Sequence, residues 1–150
     1  MELKLESVAK DYRGESWRLV FPDNREALLI FTRKGFLRGG HSHSKPEISL
    51  LLTGKVRNWK IVMEGFSPKL NPDNEVVTEK SAGEFMMNQA DEPHLTLALE
   101  DYWLIDWKID AHIGEWTTTN YEPYRVRVRH QFPGVNAKED TMIEQNKPKS

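Results

Sequence analysis

The sequence predicts an all-β fold, and three observations support this prediction. Short runs rich in Leu, Ile, Val, Phe and Trp recur along the chain, and many of them alternate apolar with polar residues. Turn-forming residues separate these runs. No long stretch before residue 115 has the apolar periodicity of an amphipathic helix. Many short strands at such spacing are typical of a β-sandwich or a β-barrel.

Eight segments are predicted to form strands because of this alternation. In chain order they are LKLESV, SWRLVF, ALLIFTR, EISLLL, KVRNWKIVM, EFMMN, HLTLAL and YWLIDWKI. Turns are predicted at residues 22–24, 39–40, 67–74 and 81–84, where Pro, Gly, Asn, Asp and Ser cluster. Residues 117–132 are consistent with a last strand or with a short helix that begins near Pro123. A single domain is predicted over residues 1–134, followed by a flexible polar tail at 135–150.

Composition excludes several classes of protein. The 150 residues include no cysteine, which excludes a disulfide framework, thiolate metal ligands and a cysteine nucleophile. The formal net charge of -2 gives no electrostatic reason to expect a nucleic-acid partner. The chain contains no apolar run long enough to cross a membrane, and its first residues lack the apolar core of a signal peptide. A cytoplasmic location is therefore expected.

A possible metal site begins at the segment HSHSKPE. Alternate residues of a strand point to the same face, so His41 and His43 project together. Glu47 keeps this parity if the chain stays extended past Pro46, which removes a ladder donor and marks a bend. Two imidazoles and a carboxylate form a partial site for a first-row metal ion. His94 opens another predicted strand and is the best candidate for a third imidazole.

These residues match a known pattern. Gly35, His41, His43, Glu47 and Gly54 have the spacing of the first cupin motif, which is Gly, five residues, His-x-His, three residues, Glu, six residues and Gly. In the second motif the Gly and His positions are met by Gly83 and His94. The Pro, Gly and Asn positions of that motif are instead occupied by Gln89, Asp91 and Ala98. The chain thus resembles the cupin superfamily over about residues 25–110.

The resemblance implies a double-sheet jelly-roll barrel with a metal ion inside one end. It implies His41, His43, Glu47 and His94 as the ligands of one divalent ion. Such a nitrogen and oxygen donor set suits iron, manganese, nickel or zinc, and the sequence does not choose among them. His112 and His130 have no partner at ligand spacing and are predicted to lie on the surface.

Residues near the predicted ligands suggest a pocket for a small molecule. Ser49 shares the parity of Glu47, and Thr96 shares that of His94, so both hydroxyls are predicted to line it. Tyr102 is a further candidate for the pocket mouth, and Arg38 could offer positive charge to an anionic substrate. The face of the last predicted strand that carries Trp103, Ile105 and Trp107 is expected to pack in the core.

The opposite faces of two strands predict self-association. If the ligand faces point inward, then Ile48, Leu50 and Leu52 of one strand, and Leu95, Leu97 and Leu99 of the other, point outward. An exposed apolar patch of that size would be unfavourable, so the N-terminal strands, the C-terminal segment or a second subunit must cover it. A homodimer is predicted, as is common among cupins.

Three functions remain open at this stage. The first is a metal-dependent enzyme of the dioxygenase, isomerase or decarboxylase type that acts on an unidentified small molecule. The second is a metal-independent deoxysugar-nucleotide epimerase or isomerase, since residues 11–14, DYRG, and residues 38–43, RGGHSH, resemble short motifs of those enzymes. The third is a cupin that binds a small molecule without catalysis.

Overall fold

The computed structural model describes residues 2–61, 75–108, 116–121 and 126. Strands account for most of this part of the chain. No helix within these ranges is both long enough and apolar enough to cross a membrane. The predicted tail at 135–150, the boundary at residue 134, the turn at 67–74 and the two histidines predicted to lie on the surface are outside the described residues.

The described residues form eleven β-strands, which confirms the all-β prediction. These are β1 (Lys4–Asp11), β2 (Gly14–Val20), β3 (Glu26–Thr32), β4 (Leu37–His43), β5 (Glu47–Thr53), β6 (Lys55–Ile61), β7 (Glu75–Ser81), β8 (Phe85–Asn88), β9 (His94–Ala98), β10 (Tyr102–Lys108) and β11 (Thr118–Asn120). The eight predicted strands correspond to β1, β2, β3, β5, β6, β8, β9 and β10. β4 and β7 were missing from that set, and β11 occupies the start of the segment that fitted a strand or a helix.

The strands form two antiparallel sheets. The six-stranded sheet has the order β1-β2-β3-β10-β5-β8, and the five-stranded sheet has the order β11-β4-β9-β6-β7. β5 and β6 follow each other in the chain but belong to different sheets, as do β9 and β10. Repeated crossing between two sheets is the arrangement of a jelly roll. As a result β4 and β9 of one sheet face β5, β8 and β10 of the other.

Apolar side chains fill one end of the space between the sheets. This interior cluster consists of Leu51, Val56, Met86, Ala98, Tyr102 and Leu104, with Ile30 packed against it. Leu51 and Val56 are fully buried there. Burying such side chains stabilises the fold by about 1.5 to 3 kcal/mol each, so this end holds the two sheets together.

A second apolar cluster lies on the opposite face of the five-stranded sheet. It contains Leu37, Trp59, Ile61, Leu95 and Leu97, all of them buried within the chain. The expectation that the β9 leucines could need a second subunit for cover therefore does not hold for Leu95 and Leu97. On β5, Leu52 is 40% exposed, and Ile48 and Leu50 are half-buried.

The structure reverses the predicted faces of β10. Tyr102, Leu104, Asp106 and Lys108 are buried, whereas Trp103, Ile105 and Trp107 are only half-buried. Trp103 stacks on Trp17 of β2 at 5.4 Å between ring centroids. The Trp17 ring, on the same face of the same sheet, thus shields Trp103 from solvent. The prediction that the tryptophans of β10 pack in the core was wrong. Aromatic rings on β2 and β3 cover Trp103 on the outer face of the sheet, whereas the inner face of β10 carries the polar residues Asp106 and Lys108.

Candidate metal centre

Three histidines converge between the sheets. His41 and His43 lie on β4, and His94 lies on the neighbouring β9, where it is directly opposite His41 in the strand register. One ring nitrogen from each can be chosen so that all three atoms lie within 4.8 Å of one another. Three converging imidazoles at this separation could hold a metal ion.

A β-bulge in β4 aims the first histidine into the interior. The register between β4 and β9 shifts between Gly39 and His41, so Arg38 pairs with Thr96 and His41 with His94. Without the bulge, Arg38 and His41 would point to opposite faces because they are three residues apart. Gly39 has a φ of 96°, and a Cβ there would lie 2.8 Å from the His94 carbonyl oxygen. The predicted turn at residues 39–40 is therefore a bulge inside a strand.

The turn before His94 hydrogen-bonds to β4 despite its altered sequence. Asp91 stands where the cupin motif has Gly, and it adopts a left-handed φ of 62°. Aspartate is one of the few side chains that tolerate this conformation. Its backbone N–H donates to the carbonyl oxygen of His43 at 2.7 Å. The substituted turn thus links directly to β4 and brings His94 beside His41.

Glu47 reaches the histidines from the opposite sheet. It begins β5, and its Oε2 lies 3.3 Å from Nε2 of His43. Its Oε1 lies 3.5 Å from Nε2 of His94. The glutamate is 5% exposed, so its charge requires partners. All four residues predicted as ligands are therefore neighbours in the structure.

Three further polar residues surround Glu47. The Lys108 ammonium donates to Glu47 Oε2 and lies 3.4 Å from Oδ2 of Asp106. Asn88 Nδ2 donates to Glu47 Oε1 at 2.9 Å. Sequence reasoning missed Lys108 and Asn88 as parts of the site. The available signal was the shared parity of Asp106 and Lys108 with Tyr102, which had been assigned to the pocket.

A cavity of about 650 Å³ opens from these residues. Its size is in the usual range for a small-molecule site. The predicted pocket residues Ser49, Thr96, Tyr102 and Arg38 all line it, together with the three histidines, Glu47, Asn88, Asp106 and Lys108. Of the other basic residues considered, Arg33 is exposed, and Lys60 pairs with Glu92 at 3.5 Å.

Solved structures share this architecture at low sequence identity. The chain aligns with an oxalate decarboxylase from Lactobacillus farciminis at a TM-score of 0.57 and 15% identity, over 75% of this chain and 33% of that one. It aligns with the capsular polysaccharide assembling protein CapF of Staphylococcus aureus at a TM-score of 0.54 and 19% identity, over 73% and 30% of the two chains. A vicilin from hazelnut, Corylus avellana, gives a TM-score of 0.61 and 13% identity, over 77% and 34%. The chain has the cupin fold.

The likeness concerns the fold. At 13% to 19% identity these structures do not carry their activities over to this chain. The chain also spans only about a third of the length of each of them. Comparison of its sequence with family models and with curated proteins finds no match. Its chemistry has to be derived from its own side chains.

Burial keeps the three histidines neutral. Burial, together with the neighbouring His94 and His43, lowers the pKa of His41 to about 3. Burial likewise lowers the pKa of His43 to about 4, although the Glu47 carboxylate opposes the change. The pKa of His94 is also lowered, mainly by burial. All three imidazoles can therefore offer a lone pair at neutral pH without first losing a proton.

The two buried carboxyl groups have opposite electrostatic environments. Burial alone would raise the pKa of Glu47, but His94, Lys108 and His43 lower it to about 2. Because His94 is itself neutral at neutral pH, the Lys108 ammonium is the cation that keeps Glu47 ionised there. Burial, together with the Glu47 charge, raises the pKa of Asp106 well above its usual value. Glu47 is thus the anionic donor of the site.

The tautomer of His94 favours a cation between its ring and the Glu47 carboxylate. Its Nδ1 lies 3.1 Å from the carbonyl oxygen of Glu92, which can only accept, so Nδ1 carries the proton. The neutral ring then turns the bare lone pair of Nε2 toward the Glu47 carboxylate. Two acceptors 3.5 Å apart repel each other unless a positive charge lies between them. A metal ion would supply that charge and use both as ligands.

A second observation also points to a bound group. Asn88 is 6% exposed and lines the cavity. Its Nδ2 donates to Glu47, which fixes the orientation of the amide. Its Oδ1 is buried and has no hydrogen-bond partner among the described residues. A buried acceptor without a donor costs about 1 to 3 kcal/mol, so this oxygen suits a ligand that donates a hydrogen bond.

Proposed function

We propose that this protein is a metal-dependent enzyme acting on a small molecule, with one divalent transition-metal ion held by His41, His43, Glu47 and His94. The convergence of three neutral imidazoles and an ionised carboxylate carries the proposal. The candidate ions are iron, manganese, nickel and zinc. When bound, the ion would supply Lewis-acid or oxygen-activating chemistry.

The chain's own residues prepare the site for that ion. Glu92 fixes the tautomer of His94 through its carbonyl oxygen. Thr118 Oγ1 lies 3.1 Å from Nδ1 of His43, and so holds that ring from the other side. Lys108 and Asn88 hold the Glu47 carboxylate. Such partners of metal-binding groups commonly change affinity or activity by about 10- to 100-fold when they are removed.

The wider cavity would bind and orient the substrate. Asn88 Oδ1 would accept a hydrogen bond from it or from a water molecule. Ser49 and Thr96 donate at 3.4 Å to Asp106 and at 3.2 Å to Asn58. These hydrogen bonds hold both hydroxyl groups against other polar side chains that line the cavity. The interior cluster beyond them closes the cavity and excludes water from that end.

Elemental analysis tests this proposal. Purified wild-type protein is expected to contain close to one equivalent of iron, manganese, nickel or zinc. A His41→Ala, His94→Ala double variant is expected to lose that metal. Arg38→Gln is the matched control, because it changes the same cavity away from the ligands and should retain the metal. The proposal fails if the wild type takes up none of the four ions even after each is added back.

One observation favours a second candidate, the metal-independent sugar-nucleotide epimerase or isomerase. Arg13 of the DYRG segment lines the same cavity as the histidines. In that function the arginine would contact the diphosphate, and a histidine would act as base. A nucleoside diphosphate should then raise the melting temperature of chelator-treated protein, and the double histidine variant should lose turnover without any dependence on metal.

A further inference from the structure

Lys108 places a positive charge beside the candidate metal ligands. Its side chain is 2% exposed, and its ammonium group donates to Oε2 of Glu47. The same carboxylate oxygen lies 3.3 Å from Nε2 of His43. A hydrogen bond spans about 3 Å, so the ammonium lies within roughly 6 Å of that ring nitrogen. The lysine and a metal ion held by the histidines would therefore share one carboxylate.

Two further groups lie beside the ammonium. Oδ2 of Asp106 is 3.4 Å from Nζ of Lys108, and the centroid of the Trp116 ring is 4.6 Å from the same nitrogen. A carboxylate and the face of an aromatic ring are both favourable neighbours for a cation. Neither contact involves Glu47, so Lys108 can lose its hydrogen bond to Glu47 and still have partners.

The two oxygens of Glu47 have different partners. Oε1 accepts from Asn88 Nδ2 at 2.9 Å and lies 3.5 Å from Nε2 of His94. The amide of Asn88 is neutral and does not repel a metal ion, whereas the ammonium on Oε2 has a charge of the same sign as the ion. Two positive charges about 5 Å apart inside a protein repel each other far more strongly than they do in water. The conflict with a metal ion therefore arises at Oε2, the oxygen that faces His43.

We propose that the Lys108 ammonium is an internal substitute for the metal ion. In the metal-free protein it supplies the positive charge that the buried Glu47 carboxylate requires, so the ligands stay together. When an ion binds, Lys108 competes with it for Oε2, which lowers the affinity of the site for every divalent ion. Asp106 and Trp116 hold the ammonium once the ion has taken its place. This inference rests on the proposed function, because it assumes that the ion binds at the histidines.

Zinc titration of metal-free protein, in competition with a chelator, tests this competition. Lys108→Gln removes the charge but keeps a hydrogen-bond donor for Glu47. The variant is expected to bind zinc more tightly than wild type, by about tenfold or more. Lys55→Met is the matched control, because it removes the same charge from an exposed lysine that pairs with Glu79 at 3.4 Å. Its zinc affinity should equal that of wild type.

The direction of the change separates competition from a structural role. A lysine that only supported the ligands would lower zinc affinity when it is replaced. Equal or weaker zinc binding by Lys108→Gln would therefore overturn the inference and leave the metal site standing. If wild type binds none of zinc, iron, manganese and nickel, the proposed function fails and this inference fails with it.

Melting temperatures extend the test to a variant of low stability. In wild type the ammonium is present without zinc, whereas Lys108→Gln has no cation at Glu47 until zinc binds. Saturating zinc should therefore raise the melting temperature of the variant by more than that of wild type. An equal or smaller rise in the variant would contradict competition.

A second variant decides the question if Lys108→Gln does not fold. Asp106→Asn keeps the shape of the side chain but removes the carboxylate that holds the displaced ammonium. Its zinc affinity is expected to fall by about tenfold, because the ammonium then stays on Glu47. Zinc affinity equal to that of wild type would mean that the ammonium is never displaced, and the inference would be wrong.

Discussion

The two ends of the space between the sheets differ along four of the strands that line it. On β5 the interior residues run from Leu51 through Ser49 to Glu47, and on β10 from Leu104 through Asp106 to Lys108. On β9 they run from Ala98 through Thr96 to His94, and on β8 from Met86 to Asn88. One end is therefore an apolar core, and the other is a buried polar cluster.

The difference shows which end stabilises the fold and which end costs stability. The apolar end gains free energy for each side chain removed from water. The polar end buries Glu47, Asp106 and Lys108, whose desolvation is compensated by their contacts with one another and by hydrogen bonds from Asn88 and Ser49. Well-packed apolar residues would be at least as stable there. Retaining a costly cluster beside the histidines fits a site kept for binding rather than for folding.

The largest effect is expected from breaking the buried ion pair. The Lys108 side chain is only 2% exposed. Lys108→Met keeps most of the side-chain volume but leaves the Glu47 carboxylate without its ammonium partner. The free energy of unfolding in urea is expected to fall by about 3 to 5 kcal/mol, as for other buried pairs with one partner removed. Lys60→Met is the matched control, because this lysine is 26% exposed and pairs with Glu92 at 3.5 Å.

A double variant decides whether the loss comes from the stranded charge. Adding Glu47→Gln to Lys108→Met removes both charges and should recover most of the lost stability. If the double variant is as unstable as Lys108→Met alone, packing of the lysine stem rather than pairing is the cause. The buried charges would then not be what distinguishes the polar end from the apolar end.

The apolar end should respond through packing alone. Leu51→Ala removes a fully buried side chain, and its cost is expected to be about 2 to 4 kcal/mol in urea unfolding. The metal affinity of the folded variant should match wild type, because the leucine lies four residues from Glu47 on β5. A large loss of metal affinity in folded Leu51→Ala would show that the two ends are not independent.

Local patterns were enough to predict the fold class and most of the strands. Alternation identified eight strands, and β10 shows it most clearly, since its two faces differ in burial at every position. It missed β7, whose apolar Val76 and Val77 are adjacent rather than alternating and are both about half exposed. It also missed β4 as a strand, since two glycines there were interpreted as a turn. A bulge between sheet partners depends on pairing, which a single sequence does not show.

The site was predicted more completely than its surroundings. The four candidate ligand residues follow from fixed spacings within the motifs, so their convergence could be anticipated. Lys108 and Asn88 belong to β10 and β8, which lie on either side of β5 in the sheet order. Their meeting at Glu47 depends on that order and on the register between strands. The face of β10 was misassigned because tryptophan was assumed to seek the interior, whereas here it packs against Trp17 and Phe31 outside.

An intermediate effect is expected from pH on the metal-free protein. The folded-state pKa values of His41 and His43, about 3 and 4, lie below the unfolded value of 6.5. Between the folded and unfolded pKa values the unfolded chain binds more protons than the folded chain. The contribution of these histidines to the free energy of unfolding is therefore complete above pH 6.5 and is lost as the pH falls toward 4 and 3. Asp106 opposes this, because its pKa is raised. The net loss between pH 7 and pH 5 is expected to be on the order of 2 kcal/mol.

Urea unfolding at several pH values measures this dependence. His94→Gln should show a shallower slope, since it removes one of the buried imidazoles that must become charged on unfolding. Constant or increasing stability between pH 7 and pH 5 would contradict the burial of neutral histidines at the polar end.

The smallest effect is expected at the edge strand β11. Thr118→Val keeps the shape of the side chain but removes the hydroxyl that lies 3.1 Å from Nδ1 of His43. Because Thr118 is exposed, the free energy of unfolding should change by less than about 1 kcal/mol. Zinc affinity, measured by competition with a chelator, should fall about tenfold as the ring loses its outer partner. Thr119→Val is the control, since its neighbour in the register is Ser42 rather than a histidine. Equal zinc affinity in the two variants would mean that β11 covers the site without orienting His43.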